Sequence, residues 1–122
     1  AWEILLEIPA QQQTGGLLLQ VGNCFALELT LVSRTLHAYV KDTGEQTMQD
    51  CGTLQLVPGT PVRLQVFLDR CSAEIFADGK CLSVNVFDTA PLRPVSLIPQ
   101  GGTLPLQLLQ VWQLQHVMEP QT

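Results

Sequence analysis

Hydrophobic and polar residues alternate along most of this chain with a period of two. In WEILLEI, residues 2–8, Trp2, Ile4, Leu6 and Ile8 share one face, and Glu3, Leu5 and Glu7 take the other. LLLQV, 17–21, is a second short run, closed by Gly22-Asn23. CFALELTLV, 24–32, gathers Phe25, Leu27, Leu29 and Leu31 against Glu28 and Thr30. TLHAYVK, 35–41, keeps Leu36, Ala38 and Val40 in phase and leaves His37, Tyr39 and Lys41 opposite. Asp42-Thr43-Gly44 predicts a turn, EQTMQD (45–50) a polar edge strand, and LQLV (54–57) a further strand ended by PGTP at 58–61. After residue 87, APLRP (90–94) predicts a loop, VSLI (95–98) a strand and PQGG (99–102) a turn. LPLQLLQVWQLQHV, 104–117, fits either period. Pro105, the interleaved glutamines and the strand-rich context favour a strand with Leu106, Leu108, Trp112 and Leu114 on one face.

The central segment LQVFLDRCSAEIFADGKCLSVNVF, 64–87, fixes its own register. Asp78-Gly79 is a two-residue hairpin signal, since a type I′ turn needs positive φ at both central residues. With that tip, Phe76 faces Cys81, Ile75 faces Leu82 and Glu74 faces Ser83. An earlier turn at Arg70-Cys71 then sets Leu68 against Ala73, Phe67 against Glu74 and Gln65 against Phe76. Leu64, Val66, Leu68, Ala73, Ile75, Ala77, Leu82, Val84 and Val86 all fall on one face, as a single consistent register requires. At about 1.5–3 kcal/mol for each large aliphatic buried, that face dominates the stability of the segment. The opposite face, with Phe67 and Phe76 among Gln65, Asp69, Glu74, Cys81, Ser83 and Asn85, is mixed. Something is expected to cover part of it. In this register Cys71 and Cys81 stand at opposite ends of the middle strand, too far apart for a disulfide. Cys24–Cys51 or another pairing stays open.

These segments amount to roughly nine to eleven short strands, the pattern of an all-β, antiparallel two-sheet β-sandwich of the jelly-roll or concanavalin A-like kind. One domain over 1–122 is expected. Composition narrows function by exclusion. With 14% charged residues against 46% apolar, disorder is not expected. No apolar run reaches the roughly 20 residues that span a bilayer, so no membrane partner is expected. A net charge of −5 with only 6 basic residues argues against nucleic acid.

Little in the chain suggests chemistry of its own. Asp69 and Glu74 share a face as a diagonal pair, at roughly 7 Å between backbones, against about 5 Å between the carboxyl groups of a retaining glycosidase. They read better as a turn aspartate and a glutamate bonded to a neighbour such as Arg70 or Arg63, because no cleft accompanies them. His37 and His116 have no carboxylate at a telling offset. The serines lack a nucleophile elbow, and the cysteine spacings fit no zinc site. No catalytic residue, metal or cofactor is expected. Trp2 is in phase with core aliphatics, whereas Tyr39 shares its face with His37 and Lys41 and is the better candidate for exposure.

The segment 64–87, followed by a loop, a short strand, a Gly pair and a last strand ending QVWQL, resembles the C-terminal β-sandwich of glycoside hydrolase family 32, the β-fructofuranosidases. Asp69, Ser72, Glu74, Phe76, Gly79 and Trp112 fall on that pattern. Cys71 and Ala73 depart from it, as does the short 42–57 region. The resemblance implies a parent enzyme that cleaves terminal β-fructofuranosyl bonds with retention, using an N-terminal five-bladed propeller. The motifs that carry the propeller's chemistry, of the types W-M-N-D-P-N-G, R-D-P and E-C, do not occur in this chain. Two roles follow as expectations. One is a packing module for the propeller, with self-association as a further expectation, where Phe67 and Phe76 would make contact. The other is a fructan-binding module built from Asp69, Glu74 and Tyr39. Cysteines that look unpaired favour the cytoplasm over secretion.

Overall fold

Strand after strand, the alternation read from the sequence becomes a pleat with one greasy and one wet side. The computed structural model describes residues 2–22, 25–41, 49–69, 72–85, 95–101 and 108–113, with side chains in the last stretch only for Leu109 and Gln110. The strands are β1 (Trp2–Ile8), β2 (Gly16–Val21), β3 (Phe25–Thr30), β4 (Thr35–Val40), β5 (Gln49–Gln55), β6 (Val62–Leu68), β7 (Ser72–Ala77), β8 (Lys80–Asn85), β9 (Val95–Gln100) and β10 (Leu108–Gln113). They form two five-stranded sheets. The first has the order β10-β1-β6-β7-β8 and the second β5-β4-β3-β2-β9, with antiparallel neighbours throughout. The chain changes sheet between β1 and β2, β5 and β6, β8 and β9, and β9 and β10, which makes a sandwich and not two separate meanders.

The core lies between the sheets. Ile4, Leu6, Ile8, Leu64, Val66, Leu68 and Ile75 of the first meet Leu19, Phe25, Leu27, Leu29, Leu36 and Ala38 of the second, all buried. Trp2 is half-buried and packs on this cluster, as its phase suggests. The β6-β7-β8 register is the one derived above, including Gln65 with Phe76 and Glu74 with Ser83. Asp78 and Gly79 have φ of 51° and 71°, the left-handed pair that a type I′ tip demands. The Asp69 amide donates to the Ser72 carbonyl at 2.8 Å, and the expected turn at Arg70-Cys71 lies outside the described residues.

Three expectations change. The polar strand and the LQLV strand are one strand, β5, which carries an irregularity opposite Ala38 and Tyr39, and Leu56-Val57 leave the ladder. Residues 45–48, the turn at 42–44, Val86, the loop at 90–94 and the side chain of Trp112 lie outside the described residues. The expected turn at Pro99-Gln100 is the end of β9; β9 is an outer strand, where a proline's missing N–H is tolerated. Finally, Cys51 and Cys81 are free and exposed thiols, which closes the Cys24–Cys51 alternative.

One end of the sandwich is tied by Arg34, in the turn between β3 and β4. Its side chain is 5% exposed, the sole buried charged residue among those described. Its Nη1 donates to the Thr60 carbonyl at 3.2 Å and its Nη2 to the Ala10 carbonyl at 3.3 Å. Its own carbonyl accepts from the Leu56 amide at 2.7 Å. Two loops remote in sequence are thereby fastened to one turn.

Candidate functional site

Each sheet has an outer face, and the residues that invite a functional reading are divided between them. On the first sheet, β6 and β7 set Phe67 and Phe76 edge to face, with ring centres 5.9 Å apart. Phe67 is half-buried and Phe76 is 36% exposed. Alongside, Arg63 Nε donates to Glu7 Oε1 at 2.9 Å and Gln65 Nε2 to Glu3 Oε2 at 3.2 Å. Glu7 pushes the Arg63 guanidinium above its ordinary pKa, first by accepting its hydrogen bond and then by its charge.

A groove of about 710 Å³ runs at the end of this face. It is lined by Leu5, Glu7, Arg63, Gln65 and Phe76 of the sheet, by Val57, Thr60 and Pro61 of the loop after β5, and by the Asp78-Gly79 tip. The loop is held in place. Val57 N–H donates to Asp78 Oδ2 at 2.6 Å, Thr60 Oγ1 to the Val57 carbonyl at 3.0 Å, and Lys80 Nζ to the Gln55 carbonyl at 2.6 Å. Asp69 and Glu74 are both exposed, and neither lines the groove.

Tyr39 lies on the second sheet, so the structure does not bring it together with Asp69 and Glu74. It belongs to a different group. Its hydroxyl donates to Glu28 Oε1 across β3–β4, a long bond at 3.4 Å. Its ring stacks on His37 at 6.2 Å between centroids and 30° between planes. His37 Nδ1 stands 2.9 Å from the Thr53 hydroxyl and 3.4 Å from Asp50 Oδ2. Asp50 Oδ1 in turn accepts the Gly52 N–H at 3.1 Å. Burial, then the charges of Glu28 and Asp50, raise the Tyr39 phenol above its ordinary pKa. Burial and then Asp50 raise the Cys51 thiol.

The β5 irregularity builds this array. His37 pairs with Thr53, Ala38 with Gly52 and Tyr39 with Asp50, so Cys51 is an extra residue without a partner in the ladder. In a regular strand residues three apart point to opposite faces. The bulge turns both Asp50 and Thr53 outward, onto the rings of His37 and Tyr39. The carboxylate partner of His37 is missed in the sequence because alternation breaks there. The one signal is Gly52, an isolated glycine inside a strand. Among the described residues no three His, Cys, Asp or Glu side chains gather as a metal site.

The described residues form an antiparallel sandwich of two five-stranded sheets with polar groups on both outer faces. The fold is shared with galectins. Toad ovary galectin, solved with N-acetylgalactose, superposes with a TM-score of 0.61 at 14% identity, covering 92% of this chain and 90% of that one. The same galectin with thio-digalactose gives 0.61 at 14%, covering 91% and 89%. Sheep galectin-11 with glycerol gives 0.56 at 14%, covering 91% and 88%. At this identity the likeness is one of fold. No curated protein matches the sequence. The family model described as glycosyl hydrolases family 32 C terminal matches residues 11–113, from the loop before β2 to the end of β10. The chain belongs to that family and is a non-catalytic module of a glycosidase.

Proposed function

We propose that this chain is the C-terminal β-sandwich of an enzyme that cleaves terminal β-D-fructofuranosides, and that it keeps an N-terminal propeller domain folded by packing against it. The family match supports the enzyme class. The observation that carries the packing role is the outer face of the first sheet, where Phe67 and Phe76 reach the surface beside a groove. The same face is the expected seat of self-association. Two free, exposed thiols fit a reducing compartment such as the cytoplasm, which cell fractionation would test. The isolated chain is expected to release no fructose from sucrose, sucrose 6-phosphate or levan. In sedimentation velocity it is expected to self-associate, and Phe76→Ser to return it to monomer. Hydrolysis by the purified chain, or association indifferent to Phe76→Ser, would overturn this reading.

A second reading, a fructan-binding module, is favoured by the hydrogen-bonded array around His37 and Tyr39. The galectin solved with N-acetylgalactose and thio-digalactose lends it analogy. Affinity electrophoresis in levan or inulin gels tests it, and equal mobility with and without polysaccharide counts against it.

A further inference from the structure

We propose that the outer face of the second sheet, at Glu28, His37, Tyr39, Asp50 and Thr53, is a binding site for an uncharged saccharide unit, and that it rejects sugar phosphates. This rests on the fructan-binding reading and adds the place and the selectivity.

Four observations converge. The first is a ring pair. His37 and Tyr39 stack with their planes 30° apart and both stay half-exposed, so the pair offers aromatic surface against which the C–H groups of a sugar can pack. The second is the pair of acceptors at its margins. Glu28 and Asp50 are each anchored by a neighbour, at Tyr39 Oη and at the Gly52 amide, so their positions are set before any ligand arrives. A carboxylate offers about four lone-pair sites, and these bonds leave some of them for hydroxyl donors of a vicinal diol. The third is the bulge. It places Asp50 and Thr53 on one face at the cost of regular pairing, and bulges recur where a side chain has to be re-aimed beside a functional site. The fourth is charge. The array sets two carboxylates against one histidine, in a chain of net charge −5, and a phosphate would meet repulsion there. The groove on the first sheet lacks this character. Of its charged groups, Glu7 and Arg63 pair with each other, and Asp78 is engaged by the Val57 amide.

The test uses the 122-residue chain with short inulin oligosaccharides and with sucrose 6-phosphate, followed by calorimetry and by NMR of the side-chain rings. The expected result is weak but saturable binding of the neutral sugar and none of the phosphate. Glu28→Gln and Asp50→Asn, which keep shape and lose charge, should each weaken binding by about tenfold or more, since hydrogen bonds to charged groups are the strong ones. Ser83→Ala, on the other sheet, should leave binding unchanged. Ring signals of His37 and Tyr39 should shift on titration, a readout that needs no variant. Binding undiminished in both variants, with shifts at Phe67 and Phe76 instead, overturns the placement and leaves the fructan-binding reading standing. Equal affinity for sucrose 6-phosphate overturns the selectivity. No binding of any sugar by the unaltered chain overturns the site and the reading together.

Discussion

Arg34 joins two effects in one side chain. Its φ of 54° is a conformation that costs any residue with a Cβ roughly 1–2 kcal/mol, and its guanidinium satisfies two loop carbonyls. Glycine and alanine separate these. Arg34→Ala loses the bonds and keeps the strain, and is expected to cost about 2–4 kcal/mol in urea unfolding, mostly from carbonyls left without donors. Arg34→Gly loses the same bonds but relieves the backbone, and should be the more stable of the two by about 1 kcal/mol. Equal stabilities would remove strain from the account. Tyr39 gives a pH signature. Its phenol is held protonated in the fold by burial and by Glu28 and Asp50, so its folded pKa lies above the unfolded value of about 10. Its contribution is therefore complete below about pH 10 and lost as pH rises through the folded pKa. In spectrophotometric titration Glu28→Gln should bring the transition down, and Tyr39→Phe should remove this component of alkaline destabilisation. None of this was legible in the sequence. Arg34 reads as an ordinary turn residue, because its partners, Ala10 and Thr60, are 24 and 26 positions away.

At the scale of elements, the β6-β7-β8 meander was legible to the residue. The Asp78-Gly79 tip pins its register, and the eight described apolar positions of that face agree with one register alone. Its tip should be sensitive. Asp78→Ala removes both a residue tolerant of positive φ and the acceptor for the Val57 amide, and should cost about 1–2 kcal/mol in thermal unfolding. β5 was legible only in outline, as a polar edge. Alternation carries no signature of an extra residue, so neither the bulge nor the meeting of Asp50 with His37 could be read ahead. Gly52 is where β5 meets β8. A Cβ there would stand 2.7 Å from Leu82 Cδ1. Gly52→Ala asks only that a leucine tip give way. Gly52→Val should cost more, about 1–3 kcal/mol, as overpacking does.

For the molecule as a whole, the two outer faces suggest a division of labour. The first sheet presents rings and a groove lined in part by a fastened loop; the second presents an array of polar groups bonded to one another around a stacked ring pair. The candidates Asp69, Glu74, Phe67, Phe76 and Tyr39 looked like one set in the sequence because alternation says which residues share a strand face, not which strands share a sheet. The chain changes sheet between β5 and β6, and that places Tyr39 on the far side of the sandwich from the other four. Variants on one face should therefore act independently of variants on the other. Phe76→Ser with Asp50→Asn should show additive changes in unfolding free energy, within about 0.5 kcal/mol. A larger deviation would mean that the two faces communicate through the core.

The bulge also makes Cys51 expendable. It has no partner in the β4–β5 register, and its thiol donates to the Ala38 carbonyl at 3.3 Å, so a codon deletion there would cost that one bond and leave Asp50 and Thr53 two residues apart and still on the same side. Such a shortened chain would shed one thiol while retaining its strand alignment, and β5 is thus a place where length can drift without erasing the surface it displays.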